Sequence, residues 1–122
     1  MRREERNLSS ILGADIDDIM AKIGAALDGS GDPANALSSL YSVKTKLVVF
    51  RSRLGDILQV DDVNEYYPDL AVALNGVKKL EHFIRGSNSE LEPAAAKSLY
   101  GELSQHVTHF TQTAADVDRT VG

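Results

Sequence analysis

Apolar residues recur at intervals of three and four along four stretches of the chain, and no stretch alternates for long enough to form a strand. This periodicity gives each stretch one apolar stripe, which is the pattern of an amphipathic helix that buries one face. The sequence therefore predicts an all-α fold, a small antiparallel bundle of about four main helices joined by short loops.

Start and stop signals bound the first two predicted helices. The first runs from about residue 15, with Asp15 as its N-cap, to about residue 28; an earlier start near Asn7, with Gly13 inside the helix, is the alternative. The second begins at Asp32 as cap and Pro33 at the first helical position, and it runs to about residue 59. Its predicted core stripe is Leu37, Leu40, Tyr41, Val43, Leu47, Val48, Leu54 and Leu58.

The third predicted helix has two candidate starts, at Asp61-Asp62 and at Tyr67-Pro68, and it ends at Gly86 as a C-cap. Residues 60–67 would form a separate turn of helix if the later start is used. The fourth helix starts between residues 90 and 93, and its apolar spacing of four and three predicts lengthwise packing. The predicted stripes are Leu70, Ala73, Leu74, Val77, Leu80 and Ile84 on the third helix, and Leu99, Leu103, Val107, Phe110, Ala114 and Val117 on the fourth.

The length of 122 residues predicts one domain over residues 1–122, with frayed ends at 1–7 and 119–122. The absence of cysteine excludes disulfides, thiolate nucleophiles and cysteine zinc sites. The longest apolar runs, such as residues 47–50, are far shorter than the roughly 20 residues of a membrane span, and the charged start has no apolar signal-peptide core. We therefore expect a cytoplasmic protein that does not contact a membrane.

Charged residues of the second and third helices conflict with the predicted core. A wheel of about 100° per residue puts Lys44 and Arg51 inside the apolar arc of the second helix, and Glu81 inside that of the third. Because a buried unpaired charge costs several kcal/mol, these residues should pair internally, reach the rim or face a partner. The internal ion pair and the contact surface both stay open. Lys46 and Arg53 fall on the far side, where a solvated face explains them.

Two further surfaces are candidates for contact. Tyr66 and Tyr67 precede Pro68, and because neighbouring residues on a helix cannot both face the core, one tyrosine should pack and the other should be free for a partner. The net charge of −5 argues against bulk binding of nucleic acid, although a local basic stripe remains an alternative. That stripe would consist of Lys44, Lys46, Arg51, Arg53, Lys78, Lys79 and Arg85.

Histidines of the fourth helix suggest a metal site only weakly. Glu102, His106 and His109 share part of one face at spacings of four and three, but His109 lies outside the apolar stripe. His82 projects about 140° from the core direction of the third helix and is badly placed to complete a site. We therefore expect no metal, no cofactor and no catalytic residue, and a metal-dependent bundle enzyme is the weakest alternative.

The pattern as a whole favours a non-enzymatic interaction or assembly subunit. Such a subunit would present a helix face to a protein partner or to copies of itself, with Lys44, Arg51, Glu81, Tyr66 and Tyr67 as the candidate contacts. The alternative is a small nucleic-acid-binding subunit of a larger complex, which needs its basic residues to merge into one exposed patch. The assembly hypothesis needs an exposed apolar face instead.

Overall fold

The computed structural model describes residues 7–86 and 91–121, and within these ranges it consists of helices and their connections, with no strand. The predicted all-α bundle is confirmed. Its elements in chain order are α1 (Leu8–Leu12), α2 (Ile16–Leu27), α3 (Pro33–Leu58), a 3-10 helix (Val63–Glu65), α4 (Asp69–Arg85) and α5 (Pro93–Val121).

Four helices form a ring around the core. In this ring α3 packs against α2 and α4, and α5 packs against the same two helices from the opposite corner. Phe50 of α3 and Phe110 of α5 meet across the centre with ring centroids 5.8 Å apart, a tilted arrangement that is favourable for aromatic pairs. The short helix α1 packs against both α3 and α5 and buries Leu8 and Leu12 between them.

The first predicted helix is two helices, because Gly13 separates them. The side chain of Asn7 accepts a hydrogen bond from the Ser9 amide at 3.1 Å and caps α1. Gly13 then has a φ of +82°, a left-handed region that L side chains rarely adopt, and α2 begins at Ile16. Both predicted starts are therefore used. Asp15 occupies the predicted N-cap position but makes no capping hydrogen bond with its side chain.

The other predicted boundaries are largely confirmed. Asp32 caps α3 by accepting from the Ala34 amide at 3.0 Å. Asp62 caps the separate 3-10 turn, and α4 uses the later start, with Pro68 at its N-cap position. Gly86 ends α4 with a φ of +69°. The sequence signals for helix ends thus hold because each depends on local hydrogen bonds or a local backbone angle.

The core direction of α3 differs from the prediction. Its buried apolar residues are Ala36, Leu40, Val43, Leu47, Phe50 and Leu54. Tyr41, Val48 and Leu58, all placed in the predicted core stripe, are instead 67%, 39% and 38% exposed. Counting Tyr41 and Val48 as core rotated the predicted inward direction by roughly 50° at about 100° per residue, whereas Leu58 points near the core direction but lies at the end of the helix.

One close approach between α2 and α5 depends on a glycine. The Tyr100 hydroxyl donates a hydrogen bond to the Met20 carbonyl at 2.8 Å. A Cβ atom at Gly24 would lie 2.8 Å from that hydroxyl oxygen, so the absent side chain gives the tyrosine its place against α2.

The two ends of the chain bear on the predicted fraying. Residues 1–6 and 122 lie outside the described residues, whereas Asn7 caps α1 and residues 119–121 continue α5. None of the helices in the described ranges combines the length and the apolar character that a membrane crossing requires.

Candidate interaction surface

Over residues 41–52, the side of α3 that faces away from the core is uncharged and partly apolar, and exposed Asp56 follows on the same side near the end of the helix. Its exposed residues at spacings of four and three lie on one side of the helix, and we call them the outer face. Its apolar members Tyr41, Val48 and Val49 are 67%, 39% and 46% exposed. The outer face consists of Tyr41, Thr45, Val48, Val49 and Ser52.

Each edge of the outer face carries two cations. Lys44 and Arg51 lie on one edge, and Lys46 and Arg53 lie on the other, and the members of each pair are seven positions apart. At about 100° per residue a seven-residue separation keeps both members on nearly the same line along the helix. The two pairs thus have the same charge and spacing, and they differ only in what lies beside them.

The edge with Lys46 and Arg53 is used within the fold. The Lys46 Nζ donates to the carbonyl of Leu12 at 2.8 Å and lies 3.3 Å from Oδ1 of Asp15. That carbonyl is at the end of α1, where helical carbonyls have no partner in the helix and a cation is favourable. Arg53 lies 3.9 Å from the carboxylate of Asp56. The prediction that Lys46 sits on a solvated face is therefore wrong, because its side chain is only 20% exposed.

The edge with Lys44 and Arg51 forms no such contact, although Asp56, Asp61 and Asp62 line the same crevice as Arg51. Lys44 is exposed and Arg51 is half-buried, and neither forms an ion pair or a hydrogen bond with the described part of the chain. The expected inward direction of Lys44 is wrong. Glu81 is half-buried and lies 3.8 Å from Arg85, one turn along α4. The internal ion pair of Glu81 with Lys44 or Arg51 therefore does not form.

The tyrosine corner has the predicted asymmetry. Tyr66 is 63% exposed, whereas Tyr67 is half-buried and packs against the core. The backbone amides of Tyr66 and Tyr67 both donate to the carbonyl of Val63, at 3.0 and 2.8 Å, which fixes this turn. A role of either ring in partner contact stays a prediction.

The predicted basic stripe is divided. Three of its cations are held in ion pairs with neighbouring carboxylates: Lys46, Arg53 and Arg85. The others in the described chain without an ion pair are Lys44, Arg51, Lys78 and Lys79. Binding of nucleic acid through all seven cations would require the three ion pairs to open. The folded structure therefore supports the nucleic-acid alternative less than the sequence does.

A polar link between α4 and α5 was not predicted. Nδ1 of His109 lies 2.6 Å from Oδ2 of Asp69, a hydrogen-bond distance, and His106 lies 3.8 Å from the same oxygen. Both imidazole rings also pack against Phe110, with centroids 6.3 Å away for His106 and 5.9 Å for His109. Asp69 was missed because its partners are 37 and 40 residues away, a pairing that depends on the register of two helices.

This link has little room for a ligand. The crevice beside His106, lined by Val72 and Glu102 among others, has a volume of about 10 Å³, which is about one water molecule. The described residues contain no group of three His, Cys, Asp or Glu side chains arranged to hold a metal ion. Glu102 and the exposed His82 do not join His106 and His109 at Asp69. The contacts shown are those of a cross-link between two helices.

Two charged residues hold α1 in place, and neither was predicted to do so. The carboxylate of Asp118 accepts from the amides of Leu8 and Ser9, both at 2.9 Å, while Lys46 binds the other end of α1. A five-residue helix is far below the length that is stable alone, so these contacts and its two buried leucines stabilise it. No local pattern in the sequence signals this, because Asp118 is 110 residues from Leu8.

The outer face holds three of the six exposed large hydrophobic residues in the described chain: Tyr41, Val48 and Val49. No known protein family, curated protein or solved structure matches this chain. The outer face and its Lys44–Arg51 edge form the strongest candidate site, because exposed apolar area and unpaired cations are adjacent there and nothing in the described fold uses them.

Proposed function

We propose that this chain is a non-enzymatic interaction subunit that docks a protein on the outer face of α3. The observation that carries the proposal is the exposure of Tyr41, Val48 and Val49 on one side of α3. Tyrosine is enriched in protein interfaces, because its ring supplies apolar area and its hydroxyl stays able to bond.

The shape of the surface supports this proposal. With 26 residues, α3 is about 39 Å long at 1.5 Å per residue, so a partner could lie along several turns. Covering Tyr41, Val48 and Val49 would remove apolar area from water, which is the main favourable term in protein association. The buried side of the same helix already contributes the core of the domain, so the outer face is not needed for folding.

Mass photometry of the purified chain alone measures its self-association. The same measurement after copurification from its native extract detects a bound partner protein. Tyr41→Glu and Val48→Glu should each abolish the association, since a carboxylate in an apolar contact loses its hydration. Val72→Glu is the matched control, because Val72 is 56% exposed on α4, away from the outer face.

All three variants should keep a cooperative melt near that of the parent chain, because each changes an exposed side chain. A chain that stays monomeric and recovers no partner from the extract would contradict the proposal. Equal loss of association in Val72→Glu and Val48→Glu would also contradict it, since the contact would then not be specific to α3.

A further inference from the structure

We infer that the partner on the outer face is an amphipathic helix of another protein, with carboxylates along the flank that meets Lys44 and Arg51. This inference rests on the proposed function and names the chemistry of its partner. Its basis is the edge of the outer face: two cations one heptad apart, beside exposed apolar residues, without a carboxylate partner in the described chain.

The spacing favours a helical partner. Tyr41 and Val48 form an apolar line with a spacing of seven residues, and Lys44 and Arg51 form a cationic line beside it with the same spacing, as in a helix that packs lengthwise. In such packing, apolar positions form the contact and charged positions at its flank recur every seven residues. A partner helix with acidic residues at the same period would meet both cations at once.

The charge distribution favours an acidic partner. Within α3 there are four cations and one carboxylate, Asp56, although the whole chain has 13 Lys and Arg against 18 Asp and Glu. This helix is therefore a positive element in a negative protein. Complementary potentials steer association and select among partners, whereas like charges placed together oppose it.

Charge repulsion disfavours a second copy docked face to face. A symmetric dimer through the outer face would bring the Lys44–Arg51 edges of both copies into one contact, with four cations and no carboxylate supplied by this edge. A phosphate backbone is also disfavoured, because it would leave the apolar side chains of Tyr41 and Val48 without an apolar partner.

The test uses two designed helical peptides of three heptads, with leucine at the a and d positions. One carries glutamate at the flanking e and g positions, and the other carries lysine there. Fluorescence anisotropy of each labelled peptide with the full chain should show binding of the glutamate peptide at least about tenfold tighter than the lysine peptide. The preference should shrink as salt is raised, because the cations are partly exposed.

Charge reversal tests whether the Lys44–Arg51 edge causes the preference for the glutamate peptide. In the double variant Lys44→Glu with Arg51→Glu, the chain should prefer the lysine peptide instead. The matched control is Lys78→Glu with Lys79→Glu, which reverses two exposed cations of α4 and should keep the original preference. A chain that binds neither peptide, binds both equally, or keeps its preference in the first double variant would overturn the inference.

Two further results separate this inference from the proposed function. Self-association that is lost in Val48→Glu, together with no binding of the glutamate peptide, would overturn the acidic helix and leave the docking surface standing. Tighter binding of a duplex DNA probe than of the glutamate peptide, lost in the Lys44 and Arg51 double variant, would overturn the acidic helix in favour of nucleic acid. If Val48→Glu alters no association of any kind, both proposals fail.

Discussion

The two edges of α3 carry the same charges at the same spacing, and only one of them is used by the fold. Lys46 reaches the end of α1 and the carboxylate of Asp15, and Arg53 lies near Asp56. Lys44 and Arg51 have no corresponding partner in the described ranges. The difference comes from the neighbouring element: the end of α1 binds Lys46, whereas the described carboxylates near Arg51, those of Asp56, Asp61 and Asp62, form no ion pair with it.

The position of a cation on a helix wheel therefore does not show whether it stabilises the fold or binds a partner. A heptad pair can hold a distant segment of the same chain, as Lys46 holds α1, or it can remain for a partner. A cation that holds a segment of its own chain stabilises the isolated domain. A cation that binds a partner contributes only in the complex. Variants that change one edge at a time can therefore separate folding from binding.

The largest expected effect contrasts two adjacent residues of α3, Leu47 and Val48. Leu47 is fully buried, so Leu47→Glu places an unpaired carboxylate in the core and should abolish the cooperative melt, because domain stability is only about 5–15 kcal/mol. Val48→Glu should melt within about 0.5 kcal/mol of the parent chain. Circular dichroism melts of the two variants check this, and similar melts would show that the core direction of α3 is misassigned.

The next effect compares the two edges directly. Lys46→Met removes the donor to the Leu12 carbonyl and should lower the free energy of unfolding by about 1–3 kcal/mol, because a partly buried acceptor loses its hydrogen bond. Lys44→Met should change it by less than about 0.5 kcal/mol. Urea unfolding followed by circular dichroism gives both values, and equal effects would remove the proposed distinction between the edges.

The contact of Asp118 with the start of α1 should contribute less to the free energy of unfolding than the contact of Lys46 with its end. Asp118→Asn keeps one carbonyl oxygen but loses the second acceptor and the negative charge at the start of α1, so we expect a loss of about 1 kcal/mol. Asp116→Asn is the control, because Asp116 forms an ion pair with exposed Arg119 one turn away. Faster hydrogen exchange confined to residues 8–12 should accompany the first variant and not the second.

The smallest effect concerns Glu81. Because it pairs with Arg85 in a partly exposed contact at 3.8 Å, Glu81→Ala should change the free energy of unfolding by less than about 0.5 kcal/mol. An internal pair with Lys44 or Arg51 would instead cost several times more on removal. If Glu81→Ala instead lowers the free energy of unfolding by about 2 kcal/mol or more, the variant has left a buried charge without its partner. That result would restore the internal pair.

Local signals predicted most of the fold. Asp32 with Pro33, and Gly86, mark helix ends through interactions within a few residues, so the sequence alone places them. The core of α3 was misjudged because Tyr41 and Val48 are apolar on the outside, which makes a contact surface indistinguishable from a core stripe. Their exposure becomes visible only once the neighbouring helices are in place.

The candidate site was predicted in part. Lys44 and Arg51 were identified as conflicting with their position, but the reason given was burial, and Lys44 is exposed. The contacts of Asp69 and Asp118 were not predicted, because each joins segments that are far apart in the chain. Such pairs depend on helix register, which periodicity does not determine.

In our proposal, the Lys44–Arg51 edge binds a partner and does not stabilise the fold. The most direct measurement compares the double variant Lys44→Glu with Arg51→Glu against the parent chain, in one melting experiment and in one fluorescence anisotropy experiment that measures association with the glutamate peptide. We predict a melt within about 1 kcal/mol of the parent, because neither side chain has an ion pair to lose in the described structure, together with loss of the association. A variant that still associates, or that no longer melts cooperatively, would contradict it.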